Sequence, residues 1–247
     1  MLETDRFYRN WHNGRFESFT VAYKETDLWI GVDVFHERMI NFTYDIVIKL
    51  RKEIEDCILK DPIFLTSFEP LQIDTQSKVV QQMVNASRSA SVGPMAAVAG
   101  AIADEVGRFL IEEFNCGEVV VENGGDIFIK NIQPIDVAIY AGNSVLSGKI
   151  GLEIPPGKHG VCTSSGTVGH SFSFGKADAV TIVSDSASFA DAFATSYCNM
   201  VKNEEDIEKV LKIALNEHVQ TVVIIYRDKL GAVGKHGLVL ISQGEGD

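Results

Sequence analysis

The chain is poor in positive charge. Its 247 residues include 22 lysines and arginines against 34 aspartates and glutamates, which gives a formal net charge of −12. Proteins that bind nucleic acid need a basic surface, so this composition argues against that class. The same deficit disfavours docking on anionic lipid. An acidic chain that binds an anion must compensate locally, with a helix N-terminus, a glycine loop or a metal ion.

Long apolar runs and paired cysteines are also missing. The most apolar stretch of small residues, Met95 to Ala103, stops at Asp104 and is too short to span a membrane. The N-terminus, MLETDRFYRNW, has no apolar core flanked by positive charge and does not resemble a secretory signal. The four cysteines are Cys57, Cys116, Cys162 and Cys198. None belongs to a C-x-x-C pair, so we expect buried thiols in a cytoplasmic protein.

The hydrophobic pattern predicts more strands than helices, and the two do not alternate strictly. Strands are expected at 16–23, 28–34, 118–122, 127–130, 135–140, 148–154, 160–163, 180–184, 219–226 and 238–242. Helices are expected near 40–57, 79–84, 98–110, 187–201 and 204–214. A doubly wound parallel sheet needs strict alternation, so the pattern favours an α+β fold with mostly antiparallel sheets and packed helices. No linker is evident, and we expect a single domain over 1–247, with two lobes around a cleft as an alternative.

Three local features complete these predictions. Ile40 is expected to begin the inward face of the first long helix. Residues 87–94 are expected to form a loop of small residues that leads into the helix near Val98. Gly117 is expected to terminate that helix, because glycine favours the left-handed conformation at this position.

Standard phosphate-binding and zinc-protease motifs are absent, and two glycine-containing segments stand out instead. Ser91 to Pro94 leads into Ala99 to Ala103, and small residues at a helix entrance let an anion approach free N–H groups. Tight helix packing explains the same residues and is favoured when they are taken alone. Asn123-Gly124-Gly125-Asp126 lies between two strands. It is either a simple hairpin turn or a loop open to a flat ligand, with Asn123 and Asp126 supplying hydrogen bonds.

A third segment places a carboxylate and a hydroxyl on one helix. Asp191 and Thr195 are four residues apart and share a helical face. Together they form a partial ligand set for Mg²⁺, which completes its shell with water and substrate phosphates. The alternative is a solvated aspartate and a threonine that bonds back to the helix, and the spacing alone favours this alternative.

The ordered set of segments resembles the ApbE superfamily, the FAD:protein FMN transferases and their relatives. Ala99 to Val106 resembles the family's G-[AG]-I-A-K-G helix, and Asn123–Asp126 resembles its N-A-G-G-D motif. Val161 to Gly166 is similar to A-T-S-G, and Ser186 to Thr195 is similar to S-x-M-x-A-D-A-x-A-T. The N-terminal YRNW…ETDL pattern is more similar to a cytoplasmic ApbE-related branch of archaea and anaerobic bacteria.

The resemblance implies a T-fold-like ApbE architecture that binds FAD (or FMN) with Mg²⁺. The implied metal ligands are Asp191, Thr195 and a backbone carbonyl at Gly100-Ala101, assigned to Ala101. The implied cofactor-binding residues are Asn123, Gly124, Gly125, Asp126, Thr163, Ser164, Ser165 and Gly166. A metal there would offset the pyrophosphate charge in an acidic protein.

The sequence also departs from the transferases. It lacks their D-P-x-T-G segment, and Asp104 replaces the lysine of the first motif. His170 is the only histidine between Gly166 and Ala179, so it is either the base that deprotonates an acceptor hydroxyl or a pocket-lining residue.

The sequence is compatible with two hypotheses about function. The first is an enzyme that cleaves FAD and transfers FMN to a protein or to water. The second is a non-catalytic accessory protein in anaerobic sulfur assimilation or homocysteine formation. In that role Cys162 or Cys198 would carry sulfur, although inert buried thiols are the favoured interpretation. Expected partners are a flavin nucleotide, a protein acceptor or sulfur-pathway protein, and a second copy of the chain.

Overall fold

A computed structural model describes residues 14–167 and 174–241. Within these ranges the helices are α1 Arg38–Lys60, α2 Ile63–Thr66, α3 Lys78–Ala90, α4 Val98–Phe114, α5 Ala187–Met200 and α6 Glu205–Ile213. The strands are β1 Glu17–Tyr23, β2 Thr26–Val32, β3 Val119–Asn123, β4 Asp126–Asn131, β5 Ile135–Ala138, β6 Ile150–Ile154, β7 Gly157–Ser164, β8 Ala179–Ser184, β9 Thr221–Tyr226, β10 Lys229–Gly234 and β11 Leu238–Leu240. None of the helices in the described part of the chain combines the length and apolar character that a bilayer crossing requires.

The strands form two antiparallel sheets. Eight strands pair in the order β1-β2-β3-β4-β7-β8-β9-β10, and three pair in the order β11-β6-β5. Every strand pair is antiparallel, which confirms the predicted α+β class.

The large sheet is covered on both faces. Alternate residues of a strand point to opposite sides. Phe128 of β4 and Cys162 of β7 belong to the core beneath the helices, whereas their neighbours Ile129 and Val161 belong to a second core shared with the small sheet. Apolar residues at consecutive positions therefore reflect burial on both faces rather than a helix.

The structure corrects four local predictions. The inward face of α1 begins at Met39, which is fully buried, whereas Ile40 is 40% exposed. The segment predicted as a loop from 87 to 94 is helical as far as Ala90. Asn115, with φ of 54°, ends α4 in place of Gly117. Strand β10 was missed because it is a half-exposed edge strand with two glycines.

Glycines allow α4, α5 and β7 to approach each other closely. A Cβ atom on Gly100 of α4 would lie 2.2 Å from the carbonyl oxygen of Ala187. A Cβ atom on Gly160 of β7 would lie 2.3 Å from the backbone nitrogen of Ala187. The first residue of α5 is therefore seated against the start of α4 and the middle of the large sheet. This contact places the predicted site residues near one another.

Candidate functional site

Helices α4 and α5 each provide a carboxylate to the start of the other. Oδ2 of Asp191, on α5, accepts a hydrogen bond of 3.0 Å from the backbone nitrogen of Gly100. Asp104, on α4, accepts bonds of 3.0 Å and 2.9 Å from the backbone nitrogens of Ala187 and Ser188. The first N–H groups of a helix have no partner inside the helix, and its dipole favours negative charge there. The two helix entrances are thus held together by reciprocal caps.

The glycine pair between β3 and β4 forms a tight hairpin turn. Gly124 and Gly125 have φ angles of 70° and 103°, which suit the type I′ geometry that favours glycine. The side chain of Asn123 donates to the carbonyl oxygen of Ala99 over 3.1 Å. The Glu122 carboxylate accepts from the backbone nitrogen of Gly125 over 2.8 Å. The hairpin interpretation is therefore correct, and Asn123 fastens the turn to the start of α4.

The predicted cofactor-binding residues at the end of β7 and just beyond it lie next to this hairpin. The Thr163 backbone nitrogen donates to the Gly125 carbonyl over 3.2 Å, and its hydroxyl lies 2.8 Å from that of Thr181. The Gly166 nitrogen donates to the Ala177 carbonyl over 2.9 Å, and Ser165 lies between these two anchored positions. The hydroxyl of Ser164 is buried and has no hydrogen-bond partner in the described structure. An unpaired buried hydroxyl costs free energy, so Ser164 marks a position where a ligand or water would bind favourably.

Two buried carboxylates of this region have raised pKa values. Burial raises the pKa of Asp191 to about 7, against the hydrogen bonds from Gly100 and Ala99 that lower it. Burial also raises the pKa of Asp126 well above its usual value, and the nearby charge of Asp191 adds to the rise. No lysine or arginine is among the main causes of either shift, and no ion pair of the described residues involves Asp126 or Asp191. Negative charge at this position is therefore uncompensated, and a cation would bind favourably.

The thiol of Cys162 lies beside these acids in an unreactive state. Its sulfur donates to the Ala187 carbonyl over 3.2 Å. Burial raises its pKa well above the usual value, and the charges of Asp126 and Asp191 raise it further. Since the thiolate is the reactive form, this environment favours an inert residue. Cys198 is fully buried as well.

The structure brings most of the predicted site residues together. The Asn123–Asp126 turn, Thr163, the start of α4 and Asp191 form one hydrogen-bonded and electrostatic unit. Ala101 is fully buried, and Thr195 lies one turn beyond Asp191 with a half-buried side chain. His170 lies outside the described residues. Nothing in the sequence indicated that Asp104 caps α5, although its departure from the family's lysine marked the position.

The described ranges contain no group of three or more histidine, cysteine, aspartate or glutamate side chains arranged to hold a metal ion. The ligand set implied by the resemblance has one carboxylate, one hydroxyl and one backbone carbonyl. This ligand set therefore differs from the clusters of three acidic, histidine or cysteine side chains that many metal sites use, and it remains a prediction.

Comparisons with known proteins identify relatives of this chain. Residues 9–220 match the family model described as AbpE bacteria. A UPF0280 protein of Methanocaldococcus jannaschii is 39% identical over 225 residues, covering 87% of this chain and 89% of the relative. A UPF0280 protein of Methanococcus maripaludis is 41% identical over 229 residues, covering 90% of this chain and 92% of the relative.

Solved structures share the fold at low identity. The flavin transferase ApbE from Vibrio cholerae has a TM-score of 0.56 at 15% identity, covering 88% of this chain and 96% of that one. The apo flavinyl transferase ApbE of Pseudomonas stutzeri has a TM-score of 0.58 at 14% identity, covering 88% and 93%. At this identity the likeness establishes the architecture alone. The matches to the family model and to the UPF0280 relatives establish the family, and the chain belongs to the family described as AbpE bacteria.

Proposed function

We propose that this protein binds FAD together with Mg²⁺ and transfers the FMN part to a protein or to water. The observation that carries the proposal is the pair of buried, electrostatically interacting carboxylates Asp126 and Asp191. Asp191 caps the start of α4, and neither acid forms an ion pair with a basic side chain among the described residues. The structurally similar proteins of Vibrio cholerae and Pseudomonas stutzeri are flavin transferases, which supports a flavin nucleotide as the ligand.

The donors at this site fit a hard cation. Asp191, Thr195 and the backbone carbonyl of Ala101 would hold Mg²⁺, which prefers oxygen ligands and few protein donors. When bound, the ion would offset the negative charge of the pyrophosphate. The pKa of about 7 at Asp191 means that a cation would stabilise the ionised carboxylate near neutral pH.

The remaining residues would position the nucleotide. The Asn123–Asp126 turn and Thr163–Gly166 would line the pocket, where the unpaired Ser164 hydroxyl offers a hydrogen bond. His170 would accept the proton of the attacking hydroxyl as that oxygen bonds to the FMN phosphorus. The bond from that phosphorus to the AMP phosphate would break, and AMP would leave.

The test is incubation of the purified full chain with FAD and Mg²⁺, with and without a candidate flavoprotein acceptor. Calorimetry would measure FAD binding, and chromatography would measure released AMP. We expect Mg²⁺-dependent binding and AMP release, with His170→Ala losing only the release. Absence of Mg²⁺-dependent FAD binding would overturn the proposal.

The second candidate is a cofactor-binding accessory protein without transferase activity. The missing D-P-x-T-G segment favours it. FAD binding without AMP release under every condition would support this function over the first. Sulfur transfer through Cys162 would require a persulfide detectable by mass spectrometry and lost in Cys162→Ser but retained in Cys57→Ser. The raised thiol pKa of Cys162 argues against that outcome.

A further inference from the structure

Two histidines pack against each other on the side of the large sheet that contacts the small sheet. His159 lies on β7, and His236 lies in the connection between β10 and β11. Their ring centres are 5.9 Å apart and the rings are nearly perpendicular, at 89°. His159 is 7% exposed. In the described structure, Nδ1 of His159 and Nε2 of His236 are both buried without a hydrogen-bond partner.

The other nitrogen of each ring is anchored. Nε2 of His159 lies 3.1 Å from the carbonyl oxygen of Pro155, which can only accept, so Nε2 carries the proton. Burial lowers the pKa of His159, so its ring is neutral and Nδ1 presents a lone pair. Nδ1 of His236 lies 2.7 Å from the Thr221 hydroxyl, which can accept its proton and leave a lone pair on Nε2. Burial, with the nearby His159 and Lys235, lowers the pKa of His236 to about 4.

We propose that His159 Nδ1 and His236 Nε2 bind a borderline transition-metal cation of the Zn²⁺ class. Two imidazoles that share an ion at the usual metal–nitrogen distance of about 2.0–2.1 Å have ring centres roughly 5 to 6.5 Å apart, which brackets the observed separation. Metal-bound histidines commonly donate their second N–H to a carbonyl or hydroxyl, as both rings can here. Imidazole ligands suit Zn²⁺, Cu²⁺ or Ni²⁺ and not Mg²⁺, so the site is chemically distinct from the one at Asp191.

The surrounding charges are balanced. Lys235 lowers the pKa of both histidines, whereas the Asp185 carboxylate raises that of His159. Asp185 also accepts a hydrogen bond from the Gln220 side chain. A divalent ion therefore meets one carboxylate and one ammonium nearby, and water would fill its remaining coordination positions.

An ion at this position would join two separate parts of the fold. His159 lies on a central strand of the large sheet, whereas His236 precedes β11 of the small sheet by two residues. Binding would therefore stabilise the attachment of the C-terminal strand. We expect Zn²⁺ to raise the melting temperature of the protein.

The test uses the metal-free full chain and Zn²⁺ alone at pH 7.5. Calorimetry should show a site whose affinity falls at least tenfold in both His159→Gln and His236→Gln. The matched control is His36→Gln, since His36 is exposed and stacks on Phe114. This variant should keep the site and the Zn²⁺-induced rise in melting temperature. Equal zinc affinity in a folded His159→Gln variant and the unaltered chain would overturn the proposal.

A second measurement does not depend on the variants folding. Crystals of the unaltered chain soaked in Zn²⁺ should show an anomalous peak at bonding distance from both ring nitrogens. Water density between the rings, a direct imidazole–imidazole hydrogen bond, or anomalous peaks only elsewhere would contradict the proposal.

Discussion

Helix α4 places two consecutive buried carboxylates, Asp104 and Glu105, in contrasting environments. Glu105 is 2% exposed and lies 2.6 Å from the Arg108 guanidinium and 3.5 Å from the Lys78 ammonium. Burial raises its pKa, but the hydrogen bonds and charge of Arg108, with Lys78, more than offset that and leave it lowered. Asp104 faces the start of α5, near Asp191, whose pKa it raises. No cationic side chain in the described structure pairs with Asp104 or Asp191.

The difference separates a charge-compensated side of α4 from an uncompensated one. The Glu105 side lines a cavity of about 430 Å³ together with Lys49, Lys78, Arg108 and other residues, and its charges compensate one another. The Asp104 and Asp191 side concentrates negative charge at two helix entrances. Strongly perturbed carboxylates without a partner are typical of functional sites. The uncompensated side is therefore the candidate site, although this cavity lies beside Glu105.

The strongest test of this comparison is Asp191→Asn. An asparagine oxygen can still accept from the Gly100 nitrogen, but it carries no charge for a cation. We expect FAD affinity in the presence of Mg²⁺, measured by calorimetry, to fall by about 100-fold or more, which equals roughly 2.7 kcal/mol. The exposed Asp136→Asn on β5 is the control and should bind normally. Unchanged affinity in Asp191→Asn would place the cation elsewhere.

The compensated side is tested by Arg108→Ala. This variant leaves the buried Glu105 with a hydrogen bond from Gln82 and with Lys78 at 3.5 Å as its remaining cation. We expect the free energy of unfolding to fall by about 2 kcal/mol. Lys212→Ala breaks an exposed pair with Glu208 and should cost less than about 0.5 kcal/mol. Urea denaturation followed by circular dichroism measures both. Similar losses in the two variants would mean that burial of Glu105 has no special cost.

The variant Asp104→Asn distinguishes the role of Asp104 from that of Asp191 on the uncompensated side. Its amide nitrogen cannot accept from the α5 backbone, so one of the N–H groups of Ala187 and Ser188 loses its partner. We expect a loss of about 1–2 kcal/mol in stability by urea denaturation. The exposed Asp45→Asn on α1 should be neutral. A drop in FAD affinity as large as that of Asp191→Asn would show that Asp104 acts in binding as well.

The smallest expected effect is a pH dependence. Because the folded pKa of Asp191 is about 7, above the ordinary value of 3.8, the folded state holds an extra proton between these values. The free energy of unfolding therefore falls as the pH rises from the ordinary pKa toward 7, and the stabilisation from this group is lost above that pH. Without metal, Asp191→Asn should gain stability relative to the unaltered chain by about 1 kcal/mol between pH 6 and pH 8. The lowered pKa values of His159 and His236 oppose this trend equally in both proteins and cancel in the difference. The difference therefore reports Asp191 together with Asp126, whose pKa the Asp191 charge raises.

Mg²⁺ with FAD should reduce that difference, because a bound cation favours the ionised carboxylate. Chemical denaturation at each pH measures the stability difference between Asp191→Asn and the unaltered chain. A difference that does not change with pH would show that Asp191 titrates outside this window.

The sequence by itself determined the class of fold and the order of the site segments. Period-two and period-3.6 patterns depend on neighbouring residues, so they predicted β1, β2, α1 and α5 closely. The glycine pair at Gly124 required positive φ angles, and so the hairpin was predictable as well. Edge strand β10 escaped because half-exposed strands carry little apolar pattern.

Only the tertiary structure decided which acids are compensated. Asp104 and Glu105 are adjacent in the chain, and Arg108 lies four residues from the first and three from the second. Both spacings allow a side-chain pair on a helix, so the sequence does not show which acid Arg108 compensates. Asp104 meets the α5 backbone 83 and 84 residues away because Gly100 and Gly160 let the helices and sheet approach closely. Glu105 turns to Arg108 on its own helix. Hydrogen-bond and charge partners across such separations depend on three-dimensional packing, whereas sequence periodicity reports only which face of an element is buried.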